Sequence, residues 1–152
     1  VTGSTGNWND TVTVAATEPD TPQVGAVLTV WKASGQDITP HLVWTNTAGR
    51  YVEIKLAGGG IEVYDSASGW AKVGDTIPAG PWTTPRRIRT EVDGATLRIR
   101  YWTASDPEPT TWNTFTLGDA GGTNEEFRIF AVGGGAATST HFFVDDVEIG
   151  GL

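Results

Sequence analysis

Four of the seven arginines in this 152-residue sequence, Arg87, Arg89, Arg98 and Arg100, fall in two short alternating runs on either side of Asp93-Gly94. Alternation sends every second side chain to the same face of a strand. Arg87, Arg89 and Glu91 therefore share a face with Arg98, Arg100 and Trp102. A second polar face stands upstream, where Tyr51, Glu53 and Lys55 alternate with Val52, Ile54 and Leu56, and Glu62 and Tyr64 follow the run Gly58-Gly59-Gly60. Planar guanidinium and aromatic groups supply fixed donors and flat apolar area with little rotational entropy to lose, which suits contact with a hydroxyl-rich sugar ring. Tyr51, Glu53, Tyr64, Arg87, Arg89, Arg98, Arg100 and Trp102 are accordingly the candidate ligand-binding residues. The competing reading is a solvated sheet in which the arginines pair across strands with glutamate.

Other chemistries lack their residues. There is no Cys, which excludes a thiol nucleophile, a disulfide scaffold and a Cys-based zinc site. His41 and His141 are the only histidines and lie 100 residues apart, and no Ser sits in a G-x-S-x-G elbow. Both histidines read as surface or strand positions. Gly58–Gly60 and Gly133–Gly135 lack the following Lys-Ser/Thr of a phosphate-binding loop.

Short β-strands must position these groups, because helical periodicity is nearly absent. Alternating or β-branched runs recur at Thr11–Ala16, Val24–Lys32, Leu42–Trp44, Arg50–Leu56, Ile61–Tyr64, Arg87–Val92, Ala95–Trp102, Glu126–Val132 and Thr140–Ile149, each bounded by Gly, Pro, Asp or Asn. Asp93-Gly94 reads as the centre of a type I′ hairpin turn, with φ > 0 at both residues. Ile88, Thr90 and Val92 then face the same way as Leu97, Ile99 and Tyr101. Trp31 and Trp44 read as core, and Trp70, Trp82 and Trp112 as loop positions. Roughly ten strands with turns every 8–15 residues, and no segment long enough for a helical crossover, define an all-β, two-sheet antiparallel sandwich or barrel.

The composition agrees. The sequence has 23 Thr, 14 Val and 20 Gly, no Met, 18% charged residues and a net charge of −8. That charge argues against nucleic acid as a partner, and no apolar run reaches the roughly 20 residues of a membrane span. A start at Val1 without Met reads as a processed protein or a domain of a longer chain. The lack of both Met and Cys fits an oxidising, extracytoplasmic setting. Residues 1–7 read as a flexible lead-in and 8–152 as one β-sandwich domain.

The hairpin Arg86–Trp102, the Asp106-Pro107-Glu108-Pro109 loop with Trp112, and the run Phe142-Phe143-Val144-Asp145-Asp146-Val147-Glu148-Ile149 together resemble the concanavalin A-like (laminin G-like) jelly-roll domains of actinobacterial secreted proteins and phage tail proteins. The resemblance implies a jelly roll over about residues 8–149. Such domains open with a further strand beside the final one; only residues 1–7 precede the first long strand here, so that strand is expected upstream in a longer polypeptide or from elsewhere, with an open edge on the last strand. It also implies a rim site for calcium, the one cofactor it suggests, with Asp145, Asp146, Asp119 and Asp106 as candidate ligands. In a regular strand Asp145 and Asp146 point to opposite faces, so sharing an ion requires a bulge. Related glucanases carry an E-x-D-x-E strand motif. Here Glu91-Val92-Asp93 is followed by Gly94-Ala95, with Ala95 at the third carboxylate position, so the chain is not expected to be an enzyme. The expected function is a non-catalytic carbohydrate-binding or adhesion module, extracellular or on a virion surface, with a glycan and neighbouring subunits as partners. The alternatives are a spacer domain that binds only protein and a glucanase-type hydrolase.

Overall fold

The computed structural model describes residues 2–3, 9–15, 23–32, 38–118, 124–133 and 140–151. These form thirteen strands: β1 (Thr2–Gly3), β2 (Asn9–Ala15), β3 (Gln23–Lys32), β4 (Ile38–Asn46), β5 (Tyr51–Ala57), β6 (Gly60–Asp65), β7 (Ala71–Lys72), β8 (Ile77–Pro78), β9 (Arg86–Asp93), β10 (Thr96–Thr103), β11 (Asn113–Thr116), β12 (Asn124–Gly133) and β13 (Thr140–Gly151). A 3-10 turn, Ser66–Ser68, follows β6. No helix among the described residues is long and apolar enough to cross a membrane.

The strands build two antiparallel sheets, the jelly-roll sandwich expected. The six-stranded sheet runs β1-β13-β3-β9-β10-β11, and the seven-stranded sheet runs β2-β12-β4-β5-β6-β7 with β8 also paired to β6. Between them lies one core, in which Leu28, Val30, Ile88, Leu97 and Ile99 of the first sheet meet Leu42, Trp44, Ile54, Val63 and Phe127 of the second. The inward position of Thr90 in the row Ile88-Thr90-Val92 has a specific cause. Its hydroxyl accepts the Trp44 indole N–H from the opposite sheet at 3.0 Å, so neither buried polar group is left unpaired.

A buried ion pair ties the sheets together at one end. Arg50 Nε and Nη2 donate to Asp65 Oδ1 and Oδ2 at 3.1 and 3.0 Å, and both side chains are almost fully excluded from solvent. Asp65 also accepts the backbone N–H groups of Ala67 and Gly118, and Arg50 Nη1 reaches Gly94 O in the β9–β10 turn. Burial alone would raise the Asp65 pKa. The Arg50 hydrogen bonds, the two backbone donors and the Arg50 charge outweigh it and hold the carboxyl below its ordinary value.

Several local expectations are corrected. Asp93 closes β9 opposite Thr96, so the two-residue turn is Gly94-Ala95. Gly94 has φ of 53°, and neither Asp93 nor Ala95 has positive φ. This is the type II′ pattern, which demands glycine only at the first central position and accepts Ala95 at the second. Trp31 is outward-facing and half-buried, stacked on Phe143 at 5.0 Å, because it alternates with core residue Val30. Trp44 is core, as is Trp82, whose indole donates to Ala57 O at 2.8 Å. The two-residue strands β1, β7 and β8 and the four-residue β11 are too short to show a period. Gly60 (φ 154°) is required by β8, since a Cβ there would lie 2.3 Å from Ile77 O.

Within the expected lead-in, Thr2 and Gly3 pair with His141 and Thr140 of β13. Residues 1 and 4–7 lie outside those described. The rest of the β13 outer edge has no strand partner among the described residues. A bulge interrupts it, with Asp145 opposite Thr29, Glu148 opposite Val27 and Asp146 at φ 51°. Charge and a bulge both discourage edge-to-edge pairing.

The Asp65 carboxylate contributes its stability above the unfolded-state carboxylate pKa of about 4, and that contribution is lost as pH falls toward its lower folded pKa. Asp65→Asn is expected to lower the unfolding free energy at pH 7 by about 3–5 kcal/mol, because it leaves Arg50 buried and unpaired. It should also flatten the loss of stability between about pH 5 and pH 3. Denaturant titrations of both proteins at each pH read both effects.

Candidate functional site

The sequence puts the eight candidate residues on the polar faces of two hairpins. The fold divides them between the two outer surfaces of the sandwich. Arg87, Arg89, Arg98, Arg100 and Trp102 lie on the outer face of the six-stranded sheet. Tyr51, Glu53 and Tyr64 lie on the outer face of the seven-stranded sheet.

The arginine face is occupied by the protein itself. Residues 104–112 fold back over β9 and β10, and Glu108 enters between two arginines. Arg89 Nη2 donates to Glu108 Oε2 at 3.1 Å, and Arg100 Nη2 lies 2.5 Å from Glu108 Oε1. Arg100 Nη1 also donates to Pro109 O at 3.0 Å, and its guanidinium sits 4.0 Å over the Trp112 ring. Arg87 lies over Trp102, which is thereby buried, and Arg98 lies 3.9 Å from its cross-strand neighbour Glu91. Arg98–Glu91 is a cross-strand pair of the competing reading, whereas Arg89 and Arg100 pair with the covering loop. Glu91 lies beside Arg98, and Asp93 ends β9.

Beside this loop lies a cavity of about 600 Å³ lined by Arg86, Arg100, Tyr101, Trp102, Asp106 and Asn113 among others. Its cations are committed elsewhere: Arg86 donates to Gly80 O and Pro81 O, and Arg100 is held as above. Among the described residues, no three His, Asp or Glu side chains gather as a metal site. The β13 bulge brings Asp146 Oδ2 to 3.5 Å from Thr29 Oγ1, and Asp145 Oδ1 accepts the Asp146 N–H. Asp106 lines the cavity next to β10, and Asp119 lies outside the described residues.

The outer face of the seven-stranded sheet is built from strand side chains. Register places Phe130, His41, Lys55 and Glu62 in one row across β12, β4, β5 and β6. Arg128, Val43, Glu53, Tyr64 and Lys72 form the next row, and Glu126, Thr45 and Tyr51 the third. His41, which composition alone left as a surface or strand residue, is 93% buried on this outward side, from its 7% exposure. Its ring stacks on Phe130 at 4.9 Å, and its Nδ1 makes a short contact with the buried Glu53 carboxylate. His41 Nε2 is buried and has no hydrogen-bond partner among the described residues.

The remaining charges on this face are matched. Lys55 and Lys72 both approach Glu62, at 3.8 and 3.9 Å, and Arg128 contacts Glu126. Tyr64 donates to Glu62 at 3.3 Å. Burial first, then the Glu62 charge, raise the Tyr64 pKa above its ordinary value. The Arg128 hydrogen bond lowers the Glu126 pKa and that of Arg128 rises in turn. The sequence pointed to Tyr51, Glu53 and Tyr64 but missed His41. The signal available was its place directly before Leu42-Val43-Trp44, two residues from Val43 and on the same outward parity.

No protein-family model and no curated protein matches this chain. Similarity to solved structures is confined to the fold. A mutant of the GH43 protein BlXynB from Bacillus licheniformis superposes with a TM-score of 0.63 at 16% identity, over 99% of this chain and 32% of that one. The chain therefore spans about a third of that protein. A family 7 alginate lyase, A1-II′, in complex with substrate gives a TM-score of 0.62 at 8% identity, over 93% of this chain and 68% of the lyase. Galectin LEC-6 of Caenorhabditis elegans gives 0.51 at 9% identity, over 93% of this chain and 95% of the galectin. The concanavalin A-like jelly roll is thus shared with glycan-acting enzymes and with galectins, and the fold does not choose between catalysis and binding.

Removal of the Glu108 side chain frees Arg89 and Arg100 and unpins residues 104–112. Glu108→Ala is expected to cost about 1 kcal/mol, since the pairs are partly exposed, and to increase acrylamide quenching of tryptophan fluorescence as Trp112 loosens. Unchanged quenching would show that the loop is held by other contacts.

Proposed function

We propose that this chain is a non-catalytic carbohydrate-binding module whose sugar-contacting surface is the outer face of β4, β5, β6 and β12. The observation that carries this reading is His41 Nε2, a buried imidazole nitrogen without a hydrogen-bond partner among the described residues, on a face whose charged groups are matched and where Arg128 Nε is the other such atom. A buried polar group left unmatched costs free energy, and a ligand hydroxyl meeting it recovers that cost. Glu53 fixes the ring from the Nδ1 side, as carboxylates commonly orient a functional imidazole. Tyr51 and Tyr64 add aromatic surface with hydroxyl groups at the edge, and Phe130 supports the imidazole from below.

The binding reading is favoured over a glucanase-type one because both central carboxylates are already engaged. Glu53 is held by His41, and Glu62 is held by Lys55, Lys72 and Tyr64. The neighbours that are galectins, glycoside hydrolases or alginate lyases lend support to a glycan-related role. The parent we infer is a secreted surface protein or a phage tail, acting outside the cytoplasm on glycan-coated surfaces. Its support is the sulfur-free composition and the jelly-roll resemblance of the Arg86–Trp102 hairpin and the β13 run. Repetition of such modules would raise a weak single-site affinity.

A glycan array and a pull-down on isolated cell walls test the proposal. The folded wild-type chain is expected to be retained. Glu53→Gln and Tyr64→Ala should weaken retention about tenfold, while Arg98→Ala on the opposite surface should change it by less than about twofold. A well-folded chain that retains no glycan would instead fit a spacer domain that binds only protein.

A further inference from the structure

We propose that the ligand is an uncharged polysaccharide, laid across the β5–β6–β7 end of the seven-stranded sheet with Tyr51 and Trp70 as its two stacking platforms; this rests on the carbohydrate-binding reading of that sheet.

The first support is charge matching. An acidic glycan, carrying carboxylates or sulfates along its length, needs cations that are not already spent on the protein's own acids. Each described Lys and Arg on this face has a carboxylate: Lys55 and Lys72 share Glu62, and Arg128 has Glu126. The whole chain adds a net charge of −8, which repels a polyanion at long range. What the face offers a ligand is hydroxyl groups, paired charges and aromatic surface, the chemistry of a neutral sugar.

The second support is Trp70. It is 50% exposed and holds φ at 61°, a left-handed conformation unfavourable for any side chain with a Cβ. Strain on an exposed aromatic is not explained by its own burial, and such outliers gather at ligand-contacting positions. The surrounding turn holds it there. Trp70 N–H donates to Asp65 O at 3.1 Å, and the Asp65 side chain is locked by Arg50, Ala67 and Gly118.

The same corner fixes Tyr51, which is 39% exposed and whose N–H donates to Ser66 Oγ at 2.8 Å. Asp65 and Ser66 are consecutive, so the two exposed aromatics flank the end of β6 from opposite sides. Their backbones stand about two strand spacings apart, or ~10 Å, a separation that lets one chain of sugar units contact both.

Affinity electrophoresis of the wild-type chain in gels containing xylan, laminarin, alginate or polygalacturonate tests this directly. Retardation is expected with at least one of the neutral polymers and neither acidic one. It should persist from about 50 to about 500 mM NaCl, over which charge attraction is progressively screened. Trp70→Ala and Tyr51→Ala should each weaken the neutral interaction about threefold to tenfold, with thermal melts confirming the fold. Glu62→Gln, which frees Lys55 and Lys72, should confer salt-sensitive retardation by alginate. Salt-sensitive binding of alginate or polygalacturonate by the wild-type chain would overturn the uncharged-ligand inference and leave carbohydrate binding standing. Full neutral binding by both aromatic variants would overturn the placement. Retention by no polymer of either kind would overturn this inference, and an empty glycan array alongside it the carbohydrate reading as well.

Discussion

The Arg50–Asp65 pair is the contact on which the arrangement of both sheets depends. It is buried, bidentate and surrounded by further donors and acceptors, the condition under which an ion pair survives desolvation. Its reach matters more than its strength. Asp65 ends β6 and starts the 3-10 turn, Arg50 leads into β5, and their remaining hydrogen bonds extend to Gly94 and Gly118 beside β9, β10 and β11. The hydrophobic core supplies the bulk of the driving force for sheet packing, but it is indifferent to small slips. Through Gly94 and Gly118 the ion pair links the end of β6 to the β9–β10 turn and to the segment after β11. It also sets the corner that carries Tyr51 and Trp70, so the structural clamp and the exposed aromatic platforms share one network.

Two outer faces of similar composition have different fates because of one loop. Both carry Arg or Lys, Glu and aromatic residues in alternation. On the six-stranded sheet, Pro107 and Pro109 restrict the path of residues 104–112 and bring Glu108 between Arg89 and Arg100, where its carboxylate pairs with both guanidinium groups and the loop covers them. The seven-stranded sheet has no comparable cover among the described residues. Its charges pair side by side within the sheet, and two buried nitrogens, His41 Nε2 and Arg128 Nε, have no hydrogen-bond partner among the described residues. Residue type therefore says little about which face is open. The decisive feature is whether another part of the chain lies over the face.

A sandwich shared with a GH43 protein, an alginate lyase and a galectin at identities of 16% or less is a scaffold rather than a function. Its outward strand positions are free to vary, because the core constrains only the inward ones. In this chain those positions hold His41 and Glu53 in mutual contact, with the Tyr64 pKa raised by burial and by Glu62.

The amino-acid sequence by itself determined the all-β class, the two hairpins and their inward and outward faces. Those features follow from a period of two and from glycine at turns, both of which are local. It also marked Tyr51, Glu53 and Tyr64 as outward polar residues on one hairpin. The exact turn at Gly94-Ala95 escaped it, because type I′ and II′ turns differ only in which residue takes positive φ. The division of the eight candidates between opposite surfaces, the capture of the arginines by Glu108, the burial of His41 and the αL conformation of Trp70 were decided only by tertiary structure. Each depends on groups distant in sequence, such as Phe130 against His41 or Gly118 against Asp65. Alternation tells which side of a strand a residue takes, but it carries no information about what another part of the chain will lay over that side.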